Sequence, residues 1–145
     1  MAALALAGCV DSARCKLPSD WQPCAGAAAQ PGASGTPPTI LRLSLPTCAF
    51  VASPTVSGTL EVSDPDGDAQ TFKATFSVGV RTDESEVQLP DVGRSGNDWS
   101  GSAQLTVMPA GGGAAGEGSY DVRAKVTDRA GGQSAPRCGT LTLLR

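Results

Sequence analysis

The sequence predicts an all-β protein: an antiparallel sandwich of about seven strands behind a disordered N-terminal tether. Three observations predict it. From Thr39 to the end, apolar residues recur with a period of two, the repeat of a half-buried strand. Clusters of Gly, Pro, Asp and Asn break that pattern at short intervals, as hairpin connections require. No window shows a helical apolar stripe. Hydrophobic residues are 40% of the 145, but aromatics only 4%, so the core must be largely aliphatic. A small barrel is the alternative to the sandwich.

Taken in order, the chain divides into residues 1–8, 9–38 and 39–145. Residues 1–8 form a short Ala- and Leu-rich run ending at Cys9, with no Lys or Arg among them. Residues 9–38 carry Cys15, Trp21 and Cys24, followed by Ala25-Gly-Ala-Ala-Ala-Gln-Pro-Gly-Ala-Ser-Gly-Thr-Pro-Pro38. That composition without periodicity predicts a flexible to semi-extended tether.

The strands follow. Leu41, Leu43 and Leu45 alternate with Arg42 and Ser44, and Val56, Leu60 and Val62 with Ser57, Thr59 and Glu61. Phe72, Ala74, Phe76, Val78 and Val80 hold one parity; Val87 and Leu89 follow, then Trp99, Ala103, Leu105 and Val107. Tyr120, Val122, Ala124 and Val126 make the sixth run, and Leu141 and Leu143 the last. Turns are expected at 64–68, 93–97, 109–113 and 128–132. On the polar faces, Arg42, Lys73, Arg81, Arg123 and Lys125 read as solvated strand residues.

Composition bounds the function. Eleven basic residues against 14 acidic ones, a net charge of −3, argue against a nucleic-acid partner. The absence of histidine excludes Ser-His-Asp and Cys-His chemistry. A glycosidase-like carboxylate pair lacks the cleft such chemistry needs. Gly111, Gly112 and Gly113 lack the Lys-Ser/Thr of a phosphate loop. The expectation is therefore a protein that is not an enzyme and needs no cofactor. Trp21, Trp99 and Tyr120 could stack on a sugar, but inward parity at two of them favours core packing.

Two resemblances carry the expected location and fold. Leu6-Ala7-Gly8-Cys9 resembles the lipobox of bacterial lipoproteins, in which Cys becomes the lipidated N-terminus. The resemblance implies lipidation at Cys9, a cell-envelope location, and attachment to membrane through acyl chains. It also implies that the true start lies upstream, since a signal peptide needs a basic region and about 7–15 apolar residues. Val56-Ser-Gly-Thr-Leu-Glu-Val-Ser-Asp-Pro-Asp-Gly-Asp68 and Gly118-Ser-Tyr-Asp-Val-Arg-Ala-Lys-Val-Thr-Asp-Arg-Ala-Gly131 resemble immunoglobulin-like domains of bacterial surface proteins. That likeness implies an immunoglobulin-like sandwich over 39–145, with Tyr120 at a tyrosine corner. The antibody cysteine pattern is absent, with Val122 where the second Cys would stand.

Five cysteines in so short a chain point to an oxidising compartment. With Cys9 lipidated, Cys15, Cys24, Cys48 and Cys138 can pair in three ways. The most economical is Cys15–Cys24 within the tether and Cys48–Cys138 within the domain. Zinc is disfavoured without His or a C-x-x-C pair. Asp64, Asp66 and Asp68 alternate through one turn, and Asp128 lies in another that could share its end of the sandwich. Such oxygens suit Ca²⁺, yet Asp, Pro and Gly are also what a tight turn uses. The functional expectation is a lipid-anchored, non-catalytic structural or protein-interaction module of the envelope, partnered by another envelope protein. The alternative is a Ca²⁺-dependent adhesion or carbohydrate-binding module.

Overall fold

Eleven strands make up the regular structure of the protein in a computed structural model that describes residues 17–78, 81–89, 94–95, 97–107 and 116–145. The strands are β1 (Pro18–Asp20), β2 (Gln22–Pro23), β3 (Thr39–Pro46), β4 (Cys48–Phe50), β5 (Thr55–Ser63) and β6 (Ala69–Val78). They continue with β7 (Arg81–Gln88), β8 (Arg94–Ser95), β9 (Asp98–Thr106), β10 (Gly118–Asp128) and β11 (Arg137–Leu144). Seven are long: β3, β5, β6, β7, β9, β10 and β11. One sheet runs β1-β3-β5-β9-β8 and the other β2-β11-β10-β6-β7, with β4 added beside β11. Every pairing is antiparallel except β4 with β11. This is an immunoglobulin-like sandwich, in which the first long strand serves one sheet and its continuation the other. Pro46 ends β3, because it offers no N–H to extend the ladder. The chain then crosses, and the Thr47 carbonyl accepts from Thr142 N–H at 2.8 Å.

The period-two residues meet between the sheets. Leu43, Leu45, Leu60, Val62 and Leu105 from one sheet and Phe72, Phe76, Val122, Val126, Leu141 and Leu143 from the other are almost fully buried in one cluster. The alternation fails at one expected position. Leu41 is 52% exposed while Ile40 is buried, because the β3–β5 register slips between Ile40 and Arg42. A bulge adds one residue and flips the faces beyond it, so parity counted back from Leu43 misplaces Leu41. At the far edge, β7 shows exposed Glu84 and Glu86, which discourage pairing with another strand. The Tyr120 hydroxyl donates to the Gly116 carbonyl at 2.8 Å, the bond of a tyrosine corner.

Residues 17–38 are not a free tether, contrary to expectation. β1 pairs with β3 and β2 with β11, and Trp21 between them is only 3% exposed. Its indole N–H donates to the Leu45 carbonyl at 3.3 Å and its backbone N–H to Leu43 at 2.8 Å. Gly139 makes room for it: a Cβ there would lie 2.6 Å from the indole ring. The Arg137 guanidinium closes the junction, donating to the carbonyls of Trp21, Ile40 and Leu41 at 3.2, 2.8 and 3.2 Å. One buried aromatic thus holds a segment whose composition is that of a linker.

The cysteine pairing also differs from the economical one. Cys24 is bonded to Cys138 across 114 residues, which joins the N-terminal segment to the last strand. Cys48 is also disulfide-bonded; Cys9 and Cys15 lie outside the described residues. Sequence proximity favoured Cys15–Cys24, but β2 lies beside β11 and sets Gln22 opposite Cys138. On the chain-entropy account a loop of this length contributes about 5 kcal/mol.

Trp21→Ala is expected to destabilise the whole sandwich by about 3–5 kcal/mol, read as a lowered urea midpoint of the core fluorescence and circular dichroism transition. A free tether would leave that midpoint unmoved.

Candidate cation site

Two turns at one end of the sandwich gather the acidic residues. The β5–β6 turn is organised by Asp64, which is buried. Its Oδ1 accepts from Asp66 N–H at 3.1 Å, its Oδ2 from Asp68 N–H at 2.7 Å, and its carbonyl from Gly67 N–H at 3.0 Å. Gly67 takes the left-handed conformation, φ 69°, that closes the turn. Asp64 N–H in turn donates to the Asn97 carbonyl at 2.7 Å. Asp64 is therefore an Asx-type turn former.

Asp66 points elsewhere. Its carboxylate accepts from Thr36 N–H at 2.7 Å, so it fastens the N-terminal segment to the turn. Asp68 and Asp128 are the pair left over. The β6–β10 register sets Asp128 opposite Ala69, the residue after Asp68, with an irregularity between Thr127 and Asp128. Arg129 N–H donates to the Asp68 carbonyl at 3.1 Å, which locks the second turn onto the first. Asp128 Oδ1 accepts from Gly132 N–H at 2.6 Å.

Two buried oxygens have no hydrogen-bond partner among the described residues: Asp68 Oδ1 and Asp128 Oδ2. Asp128 is 3% exposed. Burial pushes the Asp68 carboxyl above the ordinary carboxylate range, and the charges of Asp128, Asp64 and Asp66 push in the same direction. Buried carboxylate oxygens without donors are costly; a cation would satisfy them. One oxygen from each of Asp64, Asp66 and Asp68 lies within 4.8 Å of the others, and Asp128 adds a neighbouring charge. Hard oxygen donors at this density suit Ca²⁺ rather than a softer metal.

The other candidates fall into place around this site. Trp21 and Trp99 are buried in the core, so neither offers a platform to a sugar. Arg42 pairs with Asp20 at 3.0 Å and Lys73 with Glu84 at 3.0 Å. Cys9, Cys15 and Gly111, Gly112 and Gly113 lie outside the described residues. One feature was not legible in the sequence. Arg123 and Lys125, read as solvated, line a hollow of about 550 Å³ whose opposite wall is the supposed tether. Their alternation on β10 was visible; the wall facing them was not.

No family model and no curated protein matches the chain. Among solved structures it is similar to the PKD domain of an M14-like peptidase from a Thermoplasmatales archaeon, at 19% identity and TM-score 0.38, over 81% of this chain and all of that one. It is also similar to an LPMO from Kitasatospora papulosa, at 11% identity and TM-score 0.38, over 80% of this chain and 55% of that one. A third likeness is to a β-glucosidase from Erythrobacter marinus, at 13% identity and TM-score 0.38, over 76% of this chain and 15% of that one.

Two measurements probe the carboxylates. In EDTA, Asp68→Asn is expected to raise the melting midpoint at neutral pH. Because the folded-state pKa of Asp68 is raised, its contribution favours the fold while protonated. That contribution is lost as pH rises from the ordinary carboxylate range through the raised folded pKa. The gain from Asp68→Asn should therefore grow with pH over that window. In millimolar Ca²⁺ the wild-type midpoint is expected to rise by mass action, and an Asp68→Asn/Asp128→Asn variant should lose the shift. Equal midpoints in Ca²⁺ and EDTA would reduce the aspartates to turn chemistry.

Proposed function

We propose that the protein is exported and lipid-anchored at Cys9, and presents its immunoglobulin-like sandwich as a non-catalytic structural or protein-interaction module of the cell envelope. The observation that carries this reading is the oxidised state of the cysteines: Cys24 joined to Cys138, and Cys48 also in a disulfide. Disulfides that tie distant segments persist outside the reducing cytosol. Leu6-Ala7-Gly8-Cys9 supplies the anchor in this reading. No helix among the described residues is long and apolar enough to cross a membrane, so acyl chains would make the attachment.

Lipidation at Cys9 assigns the remaining pair. Cys48 then has only Cys15 as its partner.

A second reading, a Ca²⁺-dependent module, is favoured by the unpartnered buried oxygens Asp68 Oδ1 and Asp128 Oδ2. It is compatible with the first, since a cation that fixes the turns would stiffen the sandwich without adding catalysis.

Expression in a bacterial host behind a functional export signal tests the anchor. The chain is expected in the membrane fraction, with an N-terminal peptide carrying diacylglycerol at Cys9 and a Cys15–Cys48 cross-link in non-reducing peptide maps. Cys9→Ser should release it to the soluble fraction. An unmodified Cys9 peptide, or a Cys9–Cys48 cross-link, would overturn the lipid anchor.

A further inference from the structure

The hollow beside β10 is a built space, bounded by two walls that the covalent structure holds in place. One wall is the outer face of β6 and β10; the other is the segment Gly26 to Gln30. Cys24–Cys138 and a bond from Cys24 N–H to the Pro136 carbonyl at 3.1 Å fix one end of that segment. Reciprocal backbone bonds between Gln30 and Gln133, both 2.8 Å, and Ala33 N–H to the Ala130 carbonyl at 2.7 Å fix the other. Its volume of about 550 Å³ falls within the range of about 300–1,000 Å³ usual for ligand sites.

The lining has one sign of charge. Arg42, Lys73 and Arg145 are paired with carboxylates, and Arg137 is committed to three carbonyls. Arg123 and Lys125 have no carboxylate partner among the described residues. Lys125 donates only to the neutral Gln133 side chain, at 2.8 Å. In a chain of net charge −3, two unneutralised cations therefore face one pre-shaped hollow. Asp121 shares their face of β10 but does not line the space, and Glu84 across β6 is held by Lys73.

The spacing selects the ligand. Arg123 and Lys125 stand two residues apart on a strand, so their side chains emerge about 7 Å apart on one face. Two acidic side chains at i and i+2 of an extended peptide have that same spacing. The guanidinium offers a planar fork to a carboxylate, and the amides of Gln30 and Gln133 line the same space, within reach of peptide groups. No aromatic ring among the described residues lines the hollow, so these residues offer no stacking surface of the kind that sugar rings favour.

We propose that this hollow binds a short extended acidic segment of a partner protein, whose carboxylates two residues apart meet Arg123 and Lys125. The inference rests on the interaction-module reading and names the face and chemistry of the partner. Because both walls are pinned before binding, little ordering cost is added on association.

The test uses the full chain with its disulfides intact and acetyl-Glu-Ser-Glu-amide as probe, followed by ¹H–¹⁵N NMR titration. Saturable shifts at Gln30, Arg123, Lys125 and Gln133 are expected, weakened by added salt. Arg123→Gln/Lys125→Gln should lower the affinity at least tenfold, as should Ala28→Trp, which fills the hollow and leaves both cations. Arg42→Gln/Arg145→Gln, which removes the same charge elsewhere, should leave binding unchanged. Absence of saturable shifts, equal binding of acetyl-Gln-Ser-Gln-amide, or undiminished binding in both hollow variants would overturn the proposal. Shifts that grow with protein concentration alone would replace it with self-association through this face. The Cys9→Ser chain separates the two readings: its binding of the peptide tests the hollow whether or not Cys9 carries lipid.

Discussion

The burial of Trp21 against the sandwich is the constraint on which the remaining architecture depends. With few aromatics, the core relies on aliphatic side chains from two twisted sheets. The indole closes the gap that Gly139 leaves on β11 and reaches the Leu45 carbonyl on β3. It thereby joins one strand of each sheet. Arg137 completes the joint by satisfying three carbonyls of the crossing chain. With that joint closed, Cys24 lies beside Cys138 and the following segment runs along the outer face of β10. The disulfide, the hollow and the contact of Thr36 with Asp66 all follow from it.

The acidic end of the molecule divides labour among residues that look equivalent in the sequence. Asp64 spends its oxygens on backbone donors and shapes the turn. Asp66 secures the N-terminal segment. Asp68 and Asp128 are brought together by the β6–β10 register and keep one oxygen each without a donor. Backbone donors, in the turn for Asp64 and from Thr36 for Asp66, account for the first two aspartates. The second two are left with a desolvation cost and mutual repulsion, which a bound cation would relieve. The Arg129 N–H donates to the Asp68 main-chain carbonyl, so the two turns are joined at the backbone.

The long-range cross-link shapes the charged face of the second sheet. A covalent tie between an N-terminal segment and the last strand closes most of the chain into one loop, which limits fraying at both ends. The same tie fixes a wall opposite Arg123 and Lys125. Two cations that would be ordinary solvated residues on an open sheet face become the lining of a recess, because a segment with no strand pattern is held across from them.

The sequence by itself determined the long strands and the turns at 64–68 and 128–132; the turn expected at 109–113, and part of the one at 93–97, lie outside the described residues. Period-two alternation is local and survives without knowledge of partners, so all seven long strands were legible, as was the corner role of Tyr120. Alternation could not show the bulge that turns Leu41 outward, because a bulge is a property of two strands in register. Nor could composition show that residues 17–38 are packed: the energy holding them resides in one tryptophan and one disulfide, and both need partners more than 20 residues away. Cysteine pairing, the distinct duties of four similar aspartates and the recess beside β10 were likewise decided by the tertiary structure. Each depends on which chain segments lie side by side, and that adjacency is fixed by long-range packing rather than by neighbours in the chain.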